Sequence, residues 1–283
     1  MPDSRTKLLG LIGDPVAHSL SPPLHEFLLS RAGLNYCYLA FRVPKERLPE
    51  ALQGMRALGI RGLNVTVPHK EAVILHLDGL SSEAEAVGAV NVIANEDGKL
   101  IGHNTDIHGF LVPLRARGVE LKGAKAVVIG AGGAAAAVAW GLLSAGAEVA
   151  IANRGPQRAR ALARRLSRWG TVSAHALTAL PELLPQAELL VHATPVGMHP
   201  RSNGIAVPPQ LLHEGLIVYD LVYSPLQTRL LYEAASRGAA AIGGLEMLVW
   251  QGAKALELWT GYASPPDVVA EAIAHLVEVL SHG

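Results

Sequence analysis

Residues 64–70 read N-V-T-V-P-H-K. Asn64 and Thr66 fall on one face of an extended run, and Val65 and Val67 on the other, because side chains alternate along a strand. Pro68 cannot donate to a strand ladder, so pairing stops there and the chain turns out of the sheet just before Lys70. A lysine ammonium so placed suits a reaction in which an oxygen gains negative charge and must then be protonated, and an adjacent carboxylate can keep the ammonium oriented. Polar residues also stand at strand ends or helix starts in four other stretches: Ser19 with Ser21, Asn91 in G-A-V-N, the N-T-D of 104–106, and Gln251. Each has a plain reading as well. Ser21 and Asp106 could be N-caps, Asn91 a turn residue and Lys70 a surface cation.

A second constellation is G-A-G-G-A-A at 130–135, between the strand-like K-A-V-V-I and an alanine-rich helix. This is G-x-G-x-x-A in its required setting. Gly130 permits the tight turn, Gly132 lets backbone approach a pyrophosphate, Ala135 lets helix and strand pack closely, and the free N–H groups of the helix start face the phosphates. The next strand, E-V-A-I-A, ends at Asn153 and Arg154. An NAD-binding fold carries Asp or Glu roughly 20 residues past the glycines, to take the ribose 2′-hydroxyl. Here an amide and a cation stand instead, with Arg158 and Arg160 one turn further on. That substitution selects a 2′-phosphate and hence NADP(H), unless the arginines are only a solvated face.

The elements that must hold these residues follow from periodicity. Strands are expected at 8–12, 36–43 and 60–67, and helices at 22–33 (with Ser21 as N-cap), 45–58, 69–77 and 81–87. A hairpin should turn at Glu96-Asp97-Gly98, and Asp106 should open another helix. From residue 120 the texture changes to nearly continuous apolar runs at 125–129, 148–152, 188–193, 216–222 and 239–242. Such runs indicate parallel strands covered on both faces, a doubly wound sheet. The chain beyond Gly243 reads as helical, and the domain boundary should fall within 104–120.

Composition narrows the class. The 283 residues are 50% hydrophobic, and Lys+Arg and Asp+Glu are 24 each, so no basic excess speaks for nucleic acid or an anionic membrane. The one cysteine, Cys37, excludes an intramolecular disulfide and reads as packing. No leader-like start and no run of roughly 18 apolar residues is present, so a soluble, cytoplasmic protein is expected. The histidines show no zinc-motif spacing, and no metal is expected.

Together the motifs resemble the shikimate dehydrogenase family, along nearly the whole chain and in order. They are S-L-S-P at 19–22, N-V-T-V-P-H-K at 64–70, G-A-V-N at 88–91, G-H-N-T-D at 102–106 and G-A-G-G-A-A at 130–135. They continue with N-R at 153–154, A-T-P-V-G-M at 193–198, D-L-V-Y-S-P at 220–225 and G-G-L-E-M-L-V-W-Q at 243–251. The resemblance implies an α/β protein of two domains separated by a cleft. A substrate-binding and catalytic domain would span 1–105, with the C-terminal helices of 245–283 packing back on it, and a Rossmann-type doubly wound NADP-binding domain would span 106–244. It implies NADPH-dependent reduction of 3-dehydroshikimate to shikimate, in aromatic amino-acid biosynthesis.

Carried across by residue, it implies Lys70 and Asp106 as the catalytic pair. Ser19, Ser21, Thr66 and Tyr223 would bind the substrate carboxylate, and Asn91, Gln251, Lys70 and Asp106 the ring hydroxyls. Asn64, on the strand face of Thr66, joins the substrate-binding set. Cofactor contacts would come from Gly130, Ala131, Gly132, Gly133, Ala134, Asn153, Arg154, Arg158, Thr194, Leu221, Gly244 and Met247. Where the best-known members carry an acidic residue near the nicotinamide, this chain has Ser82, which is left out. Monomer and homodimer both fit the family, with a tilt to the homodimer. The rival readings are an NAD-preferring quinate/shikimate dehydrogenase and a nucleotide-sensing regulator that has lost the chemistry. Asn153-Arg154 speaks against the first, and the intact Lys70, Asp106 and Gln251 against the second.

Overall fold

The computed structural model describes residues 3–282. They form two compact units, one running to Gly109 and resuming at Val249–His282, the other spanning Phe110–Leu248.

In the first unit the order is β1 (Lys7–Gly13), α1 (Ser21–Ala32), β2 (Tyr36–Arg42), α2 (Leu48–Ala57), β3 (Gly62–Val65), β4 (Gly79–Leu80), α3 (Ser82–Val87), β5 (Val92–Glu96), β6 (Lys99–His103) and the start of α4 (Asp106–Ala116). The strands make one mixed sheet in the order β2-β1-β3-β5-β6-β4. β1 runs parallel to β2 and β3, while β3, β5 and β6 alternate antiparallel. Asp97 (φ 52) and Gly98 (φ 90) both take positive φ in the two-residue turn between β5 and β6, which an Asp-Gly pair adopts readily.

Several expectations are corrected here. Ser21 is the first residue of α1, Leu20 occupies the cap position, and no side chain caps the helix. The N–H of Ser21 is instead taken by Ser19 Oγ at 3.2 Å, and the prolines at the helix start lack an N–H that would otherwise need a partner. The strand read at 60–67 is confined to Gly62–Val65, so the alternation lapses: Val65 is buried, but Val67 is 66% exposed rather than core-facing. The helix read at 69–77 is a 3₁₀ stretch, Ala72–His76, and the one at 45–58 begins with a 3₁₀ turn.

The second unit runs β7 (Lys125–Ile129), α5 (Gly133–Ser144), β8 (Glu148–Asn153), α6 (Pro156–Leu166), β9 (Val172–Ala176), α7 (Leu180–Leu183), β10 (Leu189–His192), β11 (Ile217–Asp220), α8 (Arg229–Ala235) and β12 (Ala240–Ile242). All six strands are parallel, in the order β12-β11-β10-β7-β8-β9. β9 escapes sequence reading because V-S-A-H-A is a half-exposed edge strand, not a buried apolar run. The run Ala135–Ala139 of α5 is buried, its small side chains allowing close approach to the sheet.

Two helices follow, α9 (Leu245–Thr260) and α10 (Pro266–His282), and the division between the units falls inside α4 and inside α9. The first-unit part of α9 is locked onto the sheet by Trp259. Its Nε1 donates to Ile93 O at 3.0 Å, and its ring covers Gly62, where a Cβ would lie 2.1 Å from that nitrogen. No helix among the described residues is long and apolar enough to cross a membrane.

Candidate active site

Lys70 is presented by the turn after β3. Thr66 N–H bonds Ile12 O, and Val67 O accepts from Asp14 N–H, both at 3.0 Å, so the turn stays tied to β1. The buried His69 donates from Nε2 to Val43 O at 2.7 Å, which anchors the residue just before the lysine. Lys70 Nζ then donates to Asp106 Oδ2 at 2.5 Å, with side chains only 18% and 6% exposed. Little hydrated, the pair interacts more strongly than a surface ion pair, provided the remaining carboxylate lone pairs are also served.

Asn91 serves them. Its Nδ2 lies 2.9 Å from Asp106 Oδ1, 2.9 Å from Thr105 Oγ1 and 3.1 Å from Gln251 Oε1, and its Oδ1 accepts Thr105 N–H at 2.7 Å. Both side-chain oxygens of Asp106 are thus engaged, Oδ2 by the Lys70 ammonium and Oδ1 by the Asn91 amide. Behind Asn91 stands Asn64, whose Nδ2 donates to Asn91 O at 3.3 Å and whose Oδ1 accepts the Tyr38 hydroxyl at 2.6 Å. Burial pushes the Tyr38 hydroxyl well up, opposed by its hydrogen bond with Ser21. A continuous path of polar contacts thus joins Ser21, Tyr38, Asn64, Asn91, Asp106 and Lys70. Ser19 and Thr66 are half-buried at the same end of the neighbouring strands β1 and β3.

Beneath this path His25 stacks on Tyr38 with ring centroids 4.2 Å apart, fully buried and without a well-formed hydrogen bond at either nitrogen. Burial pushes its imidazole down to about 3, and the nearby Asn64 side chain only partly offsets that. Tyr38, Thr105 and His25 were not singled out in the sequence. Thr105 lies within N-T-D and could have been; the other two meet the site only through packing.

In the second unit the residues expected to hold a dinucleotide lie beyond the carboxyl ends of the parallel strands or in the segments after them. Gly130 has φ 124, and a Cβ there would stand 2.8 Å from Ala193 O, so the turn needs glycine. A Cβ at Gly132 would meet nothing within 4 Å, and α5 starts with no side-chain cap, so its first N–H groups are open to a phosphate. Ala131, Gly133 and Ala134 are partly exposed around that opening. Asn153 Nδ2 donates to Gly155 O at 3.0 Å, shaping the turn that carries the exposed Arg154. Arg158 is exposed on α6, away from the buried stripe of Ala159, Leu162, Ala163 and Leu166. Thr194, Leu221 and Tyr223 are half-buried after β10 and β11. Gly244 packs so tightly on Leu221 that a Cβ would come within 2.2 Å of its carbonyl oxygen, and Met247 is buried just beyond. These residues suit a pyrophosphate and a 2′-phosphate. Among the described residues no group of three His, Cys, Asp or Glu side chains could hold a metal ion.

A glycine turn after the first strand of a doubly wound sheet, in one chain with a buried lysine–carboxylate pair, defines a dinucleotide-dependent oxidoreductase of two units. Family models match the chain as shikimate dehydrogenase substrate binding domain over residues 11–93, shikimate/quinate 5-dehydrogenase over 114–199, and shikimate 5′-dehydrogenase C-terminal domain over 244–274. The chain belongs to the shikimate dehydrogenase family. A relative from Methanopyrus kandleri, named shikimate dehydrogenase (NADP(+)), is 49% identical over 96% of both chains. Among solved structures, a shikimate dehydrogenase in complex with NADP+ aligns with TM-score 0.91 and 40% identity over 98% of both chains. The Thermus thermophilus enzyme in complex with NADP(H) and shikimate aligns with TM-score 0.85 and 45% identity, over 95% of this chain and 98% of that one.

Proposed function

We propose that this chain reversibly reduces 3-dehydroshikimate to shikimate with NADPH, with Lys70 and Asp106 as the working pair. The observation that carries the assignment is the buried 2.5 Å contact between them. Lys70 keeps two further Nζ hydrogens without a partner among the described residues. NADPH, when bound, supplies the hydride. As the ketone oxygen gains charge, the Lys70 ammonium stabilises it and passes it a proton, and Asp106 and Asn91 keep the ammonium aimed. The lysine then regains its proton from solvent, so the sum is ketone, NADPH and one proton giving alcohol and NADP+.

Ser19, Ser21, Thr66 and Tyr223 are assigned to the substrate carboxylate through their hydroxyls, and Asn91, Gln251 and Asp106 to the ring hydroxyls. Asn64 acts behind them, its polar groups committed to Tyr38 and Asn91. The unit that runs to Gly109 and resumes at Val249 takes the substrate, close to the expected 1–105 with its C-terminal helices, and the other takes NADP(H). The 130–134 turn would hold the pyrophosphate, Asn153, Arg154 and Arg158 the adenosine 2′-phosphate, and Thr194, Leu221, Gly244 and Met247 the nicotinamide side. The enzyme would work in the cytoplasm, without nucleic acid or membrane, as a monomer or a homodimer. Purified protein should reduce NADP+ with shikimate, and far more slowly with quinate or with NAD+. Equal rates with quinate would move the assignment to a broader ring-acid dehydrogenase, and no reduction with either acid would refute it.

A further inference from the structure

The second unit contains a buried His–Asp pair that the proposed chemistry does not use. His192 ends β10, Asp220 ends β11, and the two are register partners at the carboxyl edge of the sheet. Asp220 is 0% exposed, and all its neighbours are donors: His192 Nδ1 at 2.8 Å and Val222 N–H at 3.1 Å on Oδ1, and the Thr228 hydroxyl at 2.6 Å on Oδ2. A carboxylate so surrounded accepts only, so the ring nitrogen facing it carries the hydrogen, and in the neutral imidazole the opposite Nε2 offers a lone pair. Thr194 Oγ1 lies 2.5 Å from that Nε2. Its hydroxyl hydrogen must therefore point inward at His192, leaving the oxygen as an acceptor. One lone pair takes a long contact from Val196 N–H at 3.4 Å.

Pinning β10 to β11 does not require this arrangement. The backbone ladder from Leu189–Ile217 to His192–Asp220 already joins the two strands, and Thr194 is only two residues from His192 in the same segment. Of the three side chains, Thr194 alone is partly exposed. It also stands beside the first glycine of the phosphate turn, where a Cβ at Gly130 would lie 3.3 Å from Thr194 Cγ2.

We infer that His192, held by Asp220, positions the Thr194 hydroxyl as a hydrogen-bond acceptor for the amide or hydroxyl donors of the nicotinamide half of a bound dinucleotide. This rests on the reading that the second unit binds NADP(H). His192 is then a positioning residue, and its contribution should be carried by Thr194. Three variants separate that role from simple packing. Thr194→Val removes the hydroxyl at constant shape. Thr194→Ser keeps the hydroxyl. In His192→Asn the amide replaces Nδ1 against Asp220 but cannot reach Thr194.

Dissociation constants for NADPH and for 2′,5′-ADP, which lacks the nicotinamide half, are measured with the melting temperature of each full-length variant. Thr194→Val and His192→Asn should each weaken NADPH by about tenfold, as expected for one hydrogen bond, and leave 2′,5′-ADP unchanged. Thr194→Ser should bind NADPH like the parent, and the double variant should be no worse than either single one. NADPH binding within about twofold of the parent in a folded Thr194→Val, or losses that multiply in the double variant, would overturn the inference while 2′,5′-ADP binding upheld the dinucleotide reading. A parent protein that binds neither ligand overturns both.

Discussion

Lys70 and Asp106 are close enough that neither should be judged alone. If the ammonium acts on charge that appears only in the transition state, its loss should fall on kcat. Positioned acid–base groups contribute about 10² to 10⁴ in rate. Lys70→Ala is expected to lose kcat in that range with a modest change in shikimate KM, and Asp106→Asn to lose rate with some rise in KM. The double variant should lose far less than the product of the two, because a coupled pair is not additive. Steady-state kinetics on all three, with circular dichroism to check folding, decides it; a folded Lys70→Ala enzyme at near-parental kcat would return the lysine to a surface role. Arg154 makes a separate claim. It is exposed and has no acidic partner among the described residues. A charge-assisted bond to a 2′-phosphate is worth roughly 1.5 to 3 kcal/mol, so Arg154→Ala should weaken NADP+ by about tenfold or more and hardly move NAD+. Equal weakening of both cofactors would make Arg154 structural. The places of Lys70 and Arg154 just past strand ends were legible in the sequence, because Pro68 stops one strand and the apolar run of β8 ends at Asn153.

At the scale of elements, what could be read depended on how local the cause was. The parallel strands of the second unit announce themselves as apolar runs, and the Asp97-Gly98 hairpin by its turn residues. β9 did not, being half-exposed, and β3 proved shorter than its alternation, which leaves Val67 outside. The link from Tyr38 through Asn64 to Asn91 could not be read at all, because it joins β2, β3 and the residue just before β5 across 26 and 27 positions of sequence. The placement of α9 is of the same kind. Gln251 comes to Asn91 because Trp259, about two turns further along the helix, sits on Gly62 where no side chain fits. Gly62→Ala should push that indole off the sheet. Overpacking costs typically about 1 to 3 kcal/mol, so the melting temperature should fall by several degrees. Shikimate KM should rise with it, since Gln251 travels with the helix. An unchanged melting curve would mean that Trp259 is not what holds α9 in place.

For the molecule as a whole, with equal numbers of acidic and basic residues and no net charge at pH 7, the pH dependence of stability follows from the groups whose proton binding differs between folded and unfolded chain. His25 is the clearest of them, fully buried and stacked on Tyr38, its imidazole pushed down from an ordinary 6.5 to about 3. In the unfolded chain His25 takes up a proton near its ordinary value, while in the folded protein it stays neutral until about pH 3. Between those limits the unfolded state binds more protons, so stability is full above about pH 6.5 and is lost as the solution is acidified. The slope is about 1.4 kcal/mol per pH unit, which amounts to about 2 kcal/mol between pH 7.5 and pH 5 for this one group. His103 is also depressed by burial, less completely, and the carboxylates add their own titrations. These are common to any variant at position 25 and cancel in a comparison. His25→Phe keeps an aromatic ring against Tyr38 and has nothing to protonate. Urea unfolding of parent and variant at pH 7.5 and pH 5 should show the parent losing about 2 kcal/mol more than the variant, with shikimate KM following the parent's loss only where unfolding begins. Parallel losses in the two proteins would show that His25 is protonated in the folded state at pH 5, and that the packing around Tyr38 and Trp259 admits water.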